Sequence, residues 1–470
     1  MNQILQAKYP NLEVSVFNYK KVREHFIFGS DFNSNKKENA LKILKSENKV
    51  GNYFELLNQN ISSLKEPAFV YDLTHSIENF MEEVKLSSNI QSNKKMVFAG
   101  DFVISRLRSY LKEMAVIQPK NYKQLLSTEY LVYRPKTDEI SSNTLMVFAL
   151  TRYVQAILNC SQYGTEHPRF YEFAFNELPL PDVLFKLNSK IDALMQKAYN
   201  LRELSNGLYD QAENELTRYL NIDTKQEIGD SIAIKPFLKS FGKTGRLDAE
   251  YYQPKHDKII QKLRAFGTIG DKCTIGDKCT IYDKTYMPQD DKEYAYIELA
   301  DIGRFGKIIN AQKLIGSQLP SRARRLIKKG NILVSSIEGS LDSCALVDDR
   351  FDNALCSTGF YVIDSAYYNS ETLLILLKSK PIQSLLKKSC SGTILTSIRK
   401  EDFLNIALPF IDGSIQEAIK EKVEKSFKLR NKSNLILDHA KQTLEIAIEQ
   451  GENIAIHWLE TKIKLLNINI

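Results

Sequence analysis

"LLSTEYLVYR" fills residues 125–134 and "LCSTGFYVID" fills residues 355–364. Each reads as a strand of aromatic and β-branched residues suited to a pleated, half-buried surface. Thr128 and Thr358 stand 230 positions apart (358 − 128). A single matched pair is no more than composition, so the fold turns on whether the neighbours keep that interval. They do. "GDFVISRLRSYLKEMAVIQ" from Gly100 lines up with "GNILVSSIEGSLDSCALVD" from Gly330, again at 230. Upstream, "FVYDLTHSI" from Phe69 matches "AYIELADIG" from Ala295, and "LKILKSENKVGNYFELL" (41–57) follows the pattern of "IIQKLRAFGTIGDKCTI" (259–275), a helix end running into a strand. Downstream, "TLMVFALTRYVQAIL" from Thr144 parallels "TLLILLKSKPIQSLL" from Thr372, each reading as one amphipathic helix. "FAFNELPLP" (173–181) then meets "FLNIALPFI" (403–411), read at the same interval. The chain is expected to carry one domain twice.

A long helical segment follows each copy. In residues 181–222, Leu187, Ile191, Leu194, Ala198 and Leu201 alternate steps of four and three, the seam of a coiled coil. In residues 411–450, Ile415, Ile419, Val423, Leu437 and Leu444 make a similar stripe. Neither stripe can be buried without a partner, and a helix of about 40 residues is roughly 60 Å long. Two such helices after two like domains suggest partners across a pseudo-twofold axis. The expected fold is α+β: two repeated mixed α/β domains separated by two long antiparallel helices forming a coiled coil. The boundaries read as domain 1 over 1–180, the first spacer helix over 181–222, linker and domain 2 over 223–410, the second spacer helix over 411–450, and a tail over 451–470. In that tail "NIAIHWLE" (453–460) echoes "SIAIKPFLK" (231–239) of the central linker.

Composition bounds the rest. The 470 residues are 43% hydrophobic and 26% charged, which suits a globular chain of several domains. A net charge of +7 from 64 basic and 57 acidic groups permits a polyanionic partner without requiring one. The six cysteines form no CxxC pair, and Cys273 and Cys279 belong to a tandem "TIGDKCTIGDKC", so free thiols are expected instead of a metal site. The start "MNQILQAKYPNLEV" lacks the charge-then-apolar pattern of a signal peptide, and no apolar run nears the length of a membrane span. A cytoplasmic location is expected.

The chain resembles the specificity subunits of type I restriction-modification systems over essentially its whole length. The resemblance is carried by "RLDAEYY" (246–252), "KKGNILVSS", "STGFYVI", "GTILTSIRKEDFLNIALP", and the "LP" followed by a long helix that closes each copy. It implies two target-recognition domains, each reading one half of an asymmetric bipartite site in double-stranded DNA. It further implies helices that dock two modification subunits, which methylate adenine with S-adenosylmethionine, and restriction subunits that translocate and cut with ATP and Mg²⁺. No cofactor is implied for this chain itself. Two departures stand out. The Glu-Gln pair of the family's spacer helices is reduced to Gln416, and the first copy replaces "RLDAEYY" by "VREHFIFGSDFN".

The chain's own chemistry agrees with a non-catalytic role. It has no GxxxxGK[ST] phosphate loop, and it lacks the PP dipeptide of an adenine methyltransferase motor and a Gly-rich dinucleotide turn. Asp72, Glu83 and Lys85 loosely fit a nuclease spacing, which keeps a single-chain DNA nuclease as an alternative beside a protein-interaction scaffold. The candidate DNA contacts lie in loops. In the first copy these are Ser105, Arg106 and Arg108, then Tyr163, His167 and Arg169. In the second, "SRARRLIKKG" offers Arg322, Arg324, Arg325 and Lys328, read either as phosphate contacts or as a solvated basic face. Ser335 and Ser336 follow a strand. Thr393, Arg399 and Lys400 lie in "SGTILTSIRK", a loop suited to entering a groove.

Overall fold

The computed structural model describes residues 2–10, 12, 16–222, 232–266, 273–392 and 396–467. They fall into two units, Met1–Arg202 with Asn431–Ile470, and Glu203–Arg430.

In the first unit, β1 (Phe54–Leu57), β2 (Asn60–Ile61), β3 (Ala68–Tyr71), β4 (Leu86–Ser87), β5 (Lys94–Val97), β6 (Phe102–Ser105), β7 (Met114–Val116), β8 (Lys123–Leu126) and β9 (Tyr130–Pro135) build two sheets. Their orders are β1-β9-β6-β7 and β2-β5-β8-β3-β4. A separate hairpin pairs β10 (Gln162–Tyr163) with β11 (Arg169–Phe170). Side chains alternate along β6. Phe102 and Ile104 enter the core that meets the helices, whereas Val103 joins Tyr71, Val97 and Val132 between the two sheets. A strand covered on both faces reads as a continuous apolar run, which is why "FVIS" shows no polar side.

The second unit repeats this plan. Its strands are β12 (Thr280–Ile281), β13 (Glu293–Ile297), β14 (Gln312–Ile315), β15 (Ala323–Leu326), β16 (Ile332–Ser335), β17 (Cys344–Leu346), β18 (Leu355–Ser357) and β19 (Phe360–Asp364). They are ordered β12-β19-β16-β17 and β14-β13-β18-β15, with a hairpin of β20 (Cys390–Ser391) and β21 (Ser397–Ile398). Register is repeated residue for residue. Val103 opposes Val132 as Leu333 opposes Val362, both antiparallel. Val70 opposes Leu125 as Tyr296 opposes Leu355, both parallel. Gly100 and Gly330 turn into β6 and β16 with φ of +89° and +87°, a region that only glycine enters without strain.

The stretch that exposed the repeat is two strands and not one. β8 ends at Leu126, residues 127–129 turn, and β9 starts at Tyr130 in the other sheet; residues 355–364 do likewise. Thr128 and Thr358 therefore sit at the corner where the chain changes sheets. The hydroxyls of Ser127 and Ser357 close that corner by accepting the N–H of Glu129 and Gly359.

Three further details differ from the sequence expectation. Each segment after Thr144 and Thr372 forms two helices, Ser142–Ala149 with Arg152–Cys160 and Ser370–Lys378 with Lys380–Ser389. Thr151 and Ser379 break them by adopting extended backbone, and Pro381 enforces the second break by lacking an N–H. Past that point the matched interval is 228, not 230. Helix Glu172–Asn176 answers Lys400–Leu404, because the second copy is two residues shorter between β19 and Ser370. Upstream, helix Val50–Tyr53 answers Ile275–Lys278, an interval of 225 (275 − 50). The second "TIGDKC" hexamer thus fills the place of Lys49–Phe54, while most of the first (268–272) lies outside the described residues. Gly51 and Gly276 occupy equivalent close approaches: an added Cβ would lie 2.8 Å from Asn176 or 3.2 Å from the Leu404 carbonyl.

The long helices are Asp182–Leu220 and Gly413–Gln450. In the first unit Leu187, Ile191, Leu194 and Ala198 share a core with Ile436, Leu437 and Leu444, and Leu201 packs at its margin. Ser433 donates to the Ala198 carbonyl at 2.9 Å, and Arg202 pairs with Glu78 and with Asn434. In the second unit Tyr209 and Leu216 share a core with Ile419 and Val423, against which Ile415 packs. There Ser205 meets Ser426 at 3.0 Å and Lys422 meets Glu215 at 3.0 Å. The paired segments run antiparallel within each unit. Gln416 accepts the Asn369 N–H at 2.9 Å, and Asn188 accepts the Ser141 N–H at 2.9 Å. A shorter amide thus fills the first-copy position where the Glu-Gln motif is missing. The echo of the linker is not structural. "NIAIHWLE" lies in helix Glu452–Leu465, whereas residues 232–236 form no regular element and end at Pro236.

Candidate nucleic-acid interface

In the first unit the loop between β6 and β7 lies against the β10–β11 hairpin, joined by a bridge between Leu107 and Arg169. This brings all six first-copy candidates together. Ser105 is buried, and its hydroxyl exchanges hydrogen bonds with the Leu107 backbone at 3.2 Å, turning the chain out of β6. Arg169 donates to both carboxylate oxygens of Glu129, at 2.9 and 2.7 Å. Arg106 donates to the same carboxylate at 3.3 Å and to Glu172 at 3.0 Å. Hydrogen bonding from Arg169, ahead of its charge and that of Arg106, holds the Glu129 carboxyl below its ordinary range. Farther out, Arg108 reaches His167 Nδ1 at 3.0 Å, and its backbone N–H donates to the Pro168 carbonyl at 2.8 Å. Arg108 has φ +48° and Lys112 +54°, so both loop ends adopt left-handed backbone that their side chains disfavour. Tyr163 is exposed and packs its ring 4.8 Å from Tyr171.

The second unit has the same loop-on-hairpin arrangement, joined by a bridge between Ile337 and Ser397. Ser335 is buried, and its hydroxyl accepts the Ile337 N–H at 3.1 Å, as Ser105 accepts that of Leu107 one repeat earlier. Ser336 donates to the Gly359 carbonyl at 2.8 Å. Arg399 is exposed and pairs with Asp402 at 2.8 Å. Lys400 pairs with Asp283, whose backbone carbonyl also accepts from Arg325. The hydrogen bond from Lys400 is the main cause holding the Asp283 carboxyl low. Thr393 lies outside the described residues. The basic run is less concentrated than its sequence suggests. Arg322, Arg324 and Arg325 lie on or beside the edge strand β15, and their partners are Glu298, the Ser321 carbonyl and Asp283. Lys328, beyond that strand, donates to Asn353.

Sequence reasoning missed Glu129 and Asp283, the acidic centres that hold the basic candidates. Glu129 had a legible signal, because the matched position in the second copy is Gly359 within an otherwise kept corner. Asp283 had none, since nothing in "YDKTYMPQDD" separates it from solvated acids. The acids of the nuclease alternative pair with different lysines: Asp72 with Lys94 at 3.7 Å and Glu83 with Lys120 at 3.5 Å. Among the described residues, no three His, Cys, Asp or Glu side chains are placed to share a metal ion. All six cysteines are free thiols. No helix among the described residues is long and apolar enough to cross a membrane.

No protein-family model matches the sequence, and no curated protein matches it either. Solved structures similar to the chain include the HsdS subunit from Thermoanaerobacter tengcongensis, at 14% identity over 88% of this chain and 95% of that one, with a TM-score of 0.25. The S subunit of a type I restriction-modification system from M. genitalium matches at 13% identity over 90% and 96%, with a TM-score of 0.32. A third, from work on assembly and conformational transition of the type I R-M system, matches at 16% over 84% and 96%, with a TM-score of 0.28. The structural neighbours are thus type I specificity subunits, spanning most of the chain at low identity.

Proposed function

We propose that this chain is the DNA sequence-specificity subunit of a type I restriction-modification complex. Each repeated unit reads one half of an asymmetric bipartite site. One observation supports this reading above the others: the two units keep strand order and register while matched loop positions change chemistry. Arg106, Glu129 and Arg169 in the first correspond to Ser336, Gly359 and Ser397 in the second. A kept frame with exchanged loop side chains is what two readers of different half-sites require, since phosphate contacts set position and base-edge contacts set sequence.

In this reading the long helices are the spacer of the site and the docking surface for two modification subunits, and restriction subunits complete the assembly. The chain itself is non-catalytic. S-adenosylmethionine, ATP and Mg²⁺ act on the partner subunits.

Mapping methylated adenines in a genome that encodes the chain tests the proposal. The expected result is an asymmetric motif with an unspecified gap of fixed length, and lengthening a spacer helix should change that gap while leaving the outer bases. A continuous or symmetric motif would remove the reading. The chain purified alone should leave a labelled duplex uncut in Mg²⁺, whereas cleavage would establish the nuclease alternative.

A further inference from the structure

Glu129 stands at the corner between β8 and β9, away from the tips of the loops it controls. Its carboxylate binds Arg106 at the base of the β6–β7 loop and Arg169 at the base of the β10–β11 hairpin. Beyond these two anchors stand Arg108, Tyr163 and His167. The chain of contacts is continuous: Arg169 also donates to the His167 carbonyl at 3.3 Å, and His167 meets Arg108 at 3.0 Å. Arg108 keeps a left-handed backbone that persists only where its surroundings over-determine it. The side chains of Arg106, Glu129 and Arg169 are 28%, 24% and 32% exposed, so the network is half-buried and only partly screened.

We propose that Glu129 is the positioning residue of the first unit's reading surface. By engaging both arginines it withholds Arg106 and Arg169 from the phosphates and fixes the loop and hairpin that present Arg108, Tyr163 and His167 to base edges. The inference rests on the DNA-reading function proposed above and assigns its parts within one unit. The second unit cannot use the device, because Gly359 carries no side chain. There the loop is tied instead by Ser336 to the Gly359 carbonyl and by Thr396 to Glu338.

The test uses the full chain assembled with its modification subunits. The probes are duplexes bearing the methylation-mapped motif with either half-site randomised, and binding is measured across a salt series. Arg108→Ala identifies which half belongs to the first unit. Glu129→Gln should lower preference for that half about tenfold and leave the other half unchanged. It should also steepen the salt dependence by about one to two phosphate contacts, as the released arginines reach the backbone. Glu129→Asp should restore much of the preference. Arg169→Gln, which leaves Glu129 in place, decides the matter even if Glu129→Gln folds poorly. Lost preference with an unchanged salt slope supports positioning, whereas a shallower slope means that Arg169 touches phosphate and overturns the inference. Equal loss at both halves, or no loss, overturns it too. A wild-type complex without any bipartite preference would instead bring down the functional reading on which the inference stands.

Discussion

The two units differ least where they are most buried and most where they are wettest. Strand for strand, β6–β9 and β16–β19 hold the same partners in the same register, and their apolar residues fill the same layers. At the loop corner the first unit uses charge, with two arginines on one carboxylate, while the second uses hydroxyls and backbone carbonyls. Packing density explains the first fact, since a core position tolerates little change in volume. Partial exposure explains the second, because loop positions in contact with solvent are freer to exchange one set of hydrogen bonds for another than core positions are. The lesson is that matched side chains mark the scaffold and exchanged ones mark the surface proposed to read DNA.

The largest test of that comparison removes a matched core aromatic. Phe175 and Phe403 are fully buried at equivalent places on the short helices Glu172–Asn176 and Lys400–Leu404. Phe175→Ala and Phe403→Ala should each cost about 3–5 kcal/mol in denaturant unfolding. If one unit tolerates the change, the scaffolds are less alike than their registers imply.

Next in size is a buried ion pair of the first unit. Arg202 and Glu78 form an ion pair with side chains just 8% and 12% exposed. Glu78→Ala leaves a buried guanidinium without its carboxylate and should destabilise the first unit by about 3 kcal/mol. In the second unit the matched Arg430 lies over the Phe305 ring and donates to Asn206. At the interval that matches Phe69 with Ala295, exposed Arg304 holds the place of Glu78 in the sequence, so Arg304→Ala should not reproduce the effect.

A pH dependence sharpens the contrast from the other side. Burial, and then the charges of Lys255 and Lys388, hold the His256 imidazole at about 4 instead of 6.5, against a weaker opposing pull from Glu250. An unfolded chain binds that proton below pH 6.5, but the folded chain does so only near 4. Stability is therefore lost as pH falls through this window, by about 2–3 kcal/mol in all. His256→Leu should flatten that slope. The matching first-unit helix, Asn35–Ile43, contains no histidine. Unchanged slopes would show that the imidazole is solvated in solution.

The smallest effect concerns the amides that tie each unit to its long helix. Asn188→Ala and Gln416→Ala should each cost about 1–2 kcal/mol by orphaning the N–H of Ser141 or Asn369. Similar losses would equate the two amides despite their different lengths, and a marked inequality would restore the difference seen in sequence.

Much of the fold was legible because periodicity survives divergence. The repeat, the long helices and the apolar faces of β6 and β16 follow from spacing alone. Junctions were not legible in the same way. A turn between sheets reads like strand interior when Ser and Thr occupy it, and a helix break without proline, as at Thr151, leaves no compositional mark. Of the candidate site, the six first-unit residues could be nominated individually as polar residues in loops after strands. Their convergence could not, because Arg106 and Arg169 are 63 positions apart (169 − 106) and meet through a third residue, Glu129.

The amino-acid order by itself determined that one plan is written twice, since burial imposes a spacing on apolar residues that any copy must keep. Tertiary structure alone decided where the two plans part. It set which arginines are tied to a carboxylate, which serines only close turns, and which echo becomes a helix. Hydrogen bonds and ion pairs between distant segments depend on geometry to a few tenths of an ångström, and no linear pattern encodes that.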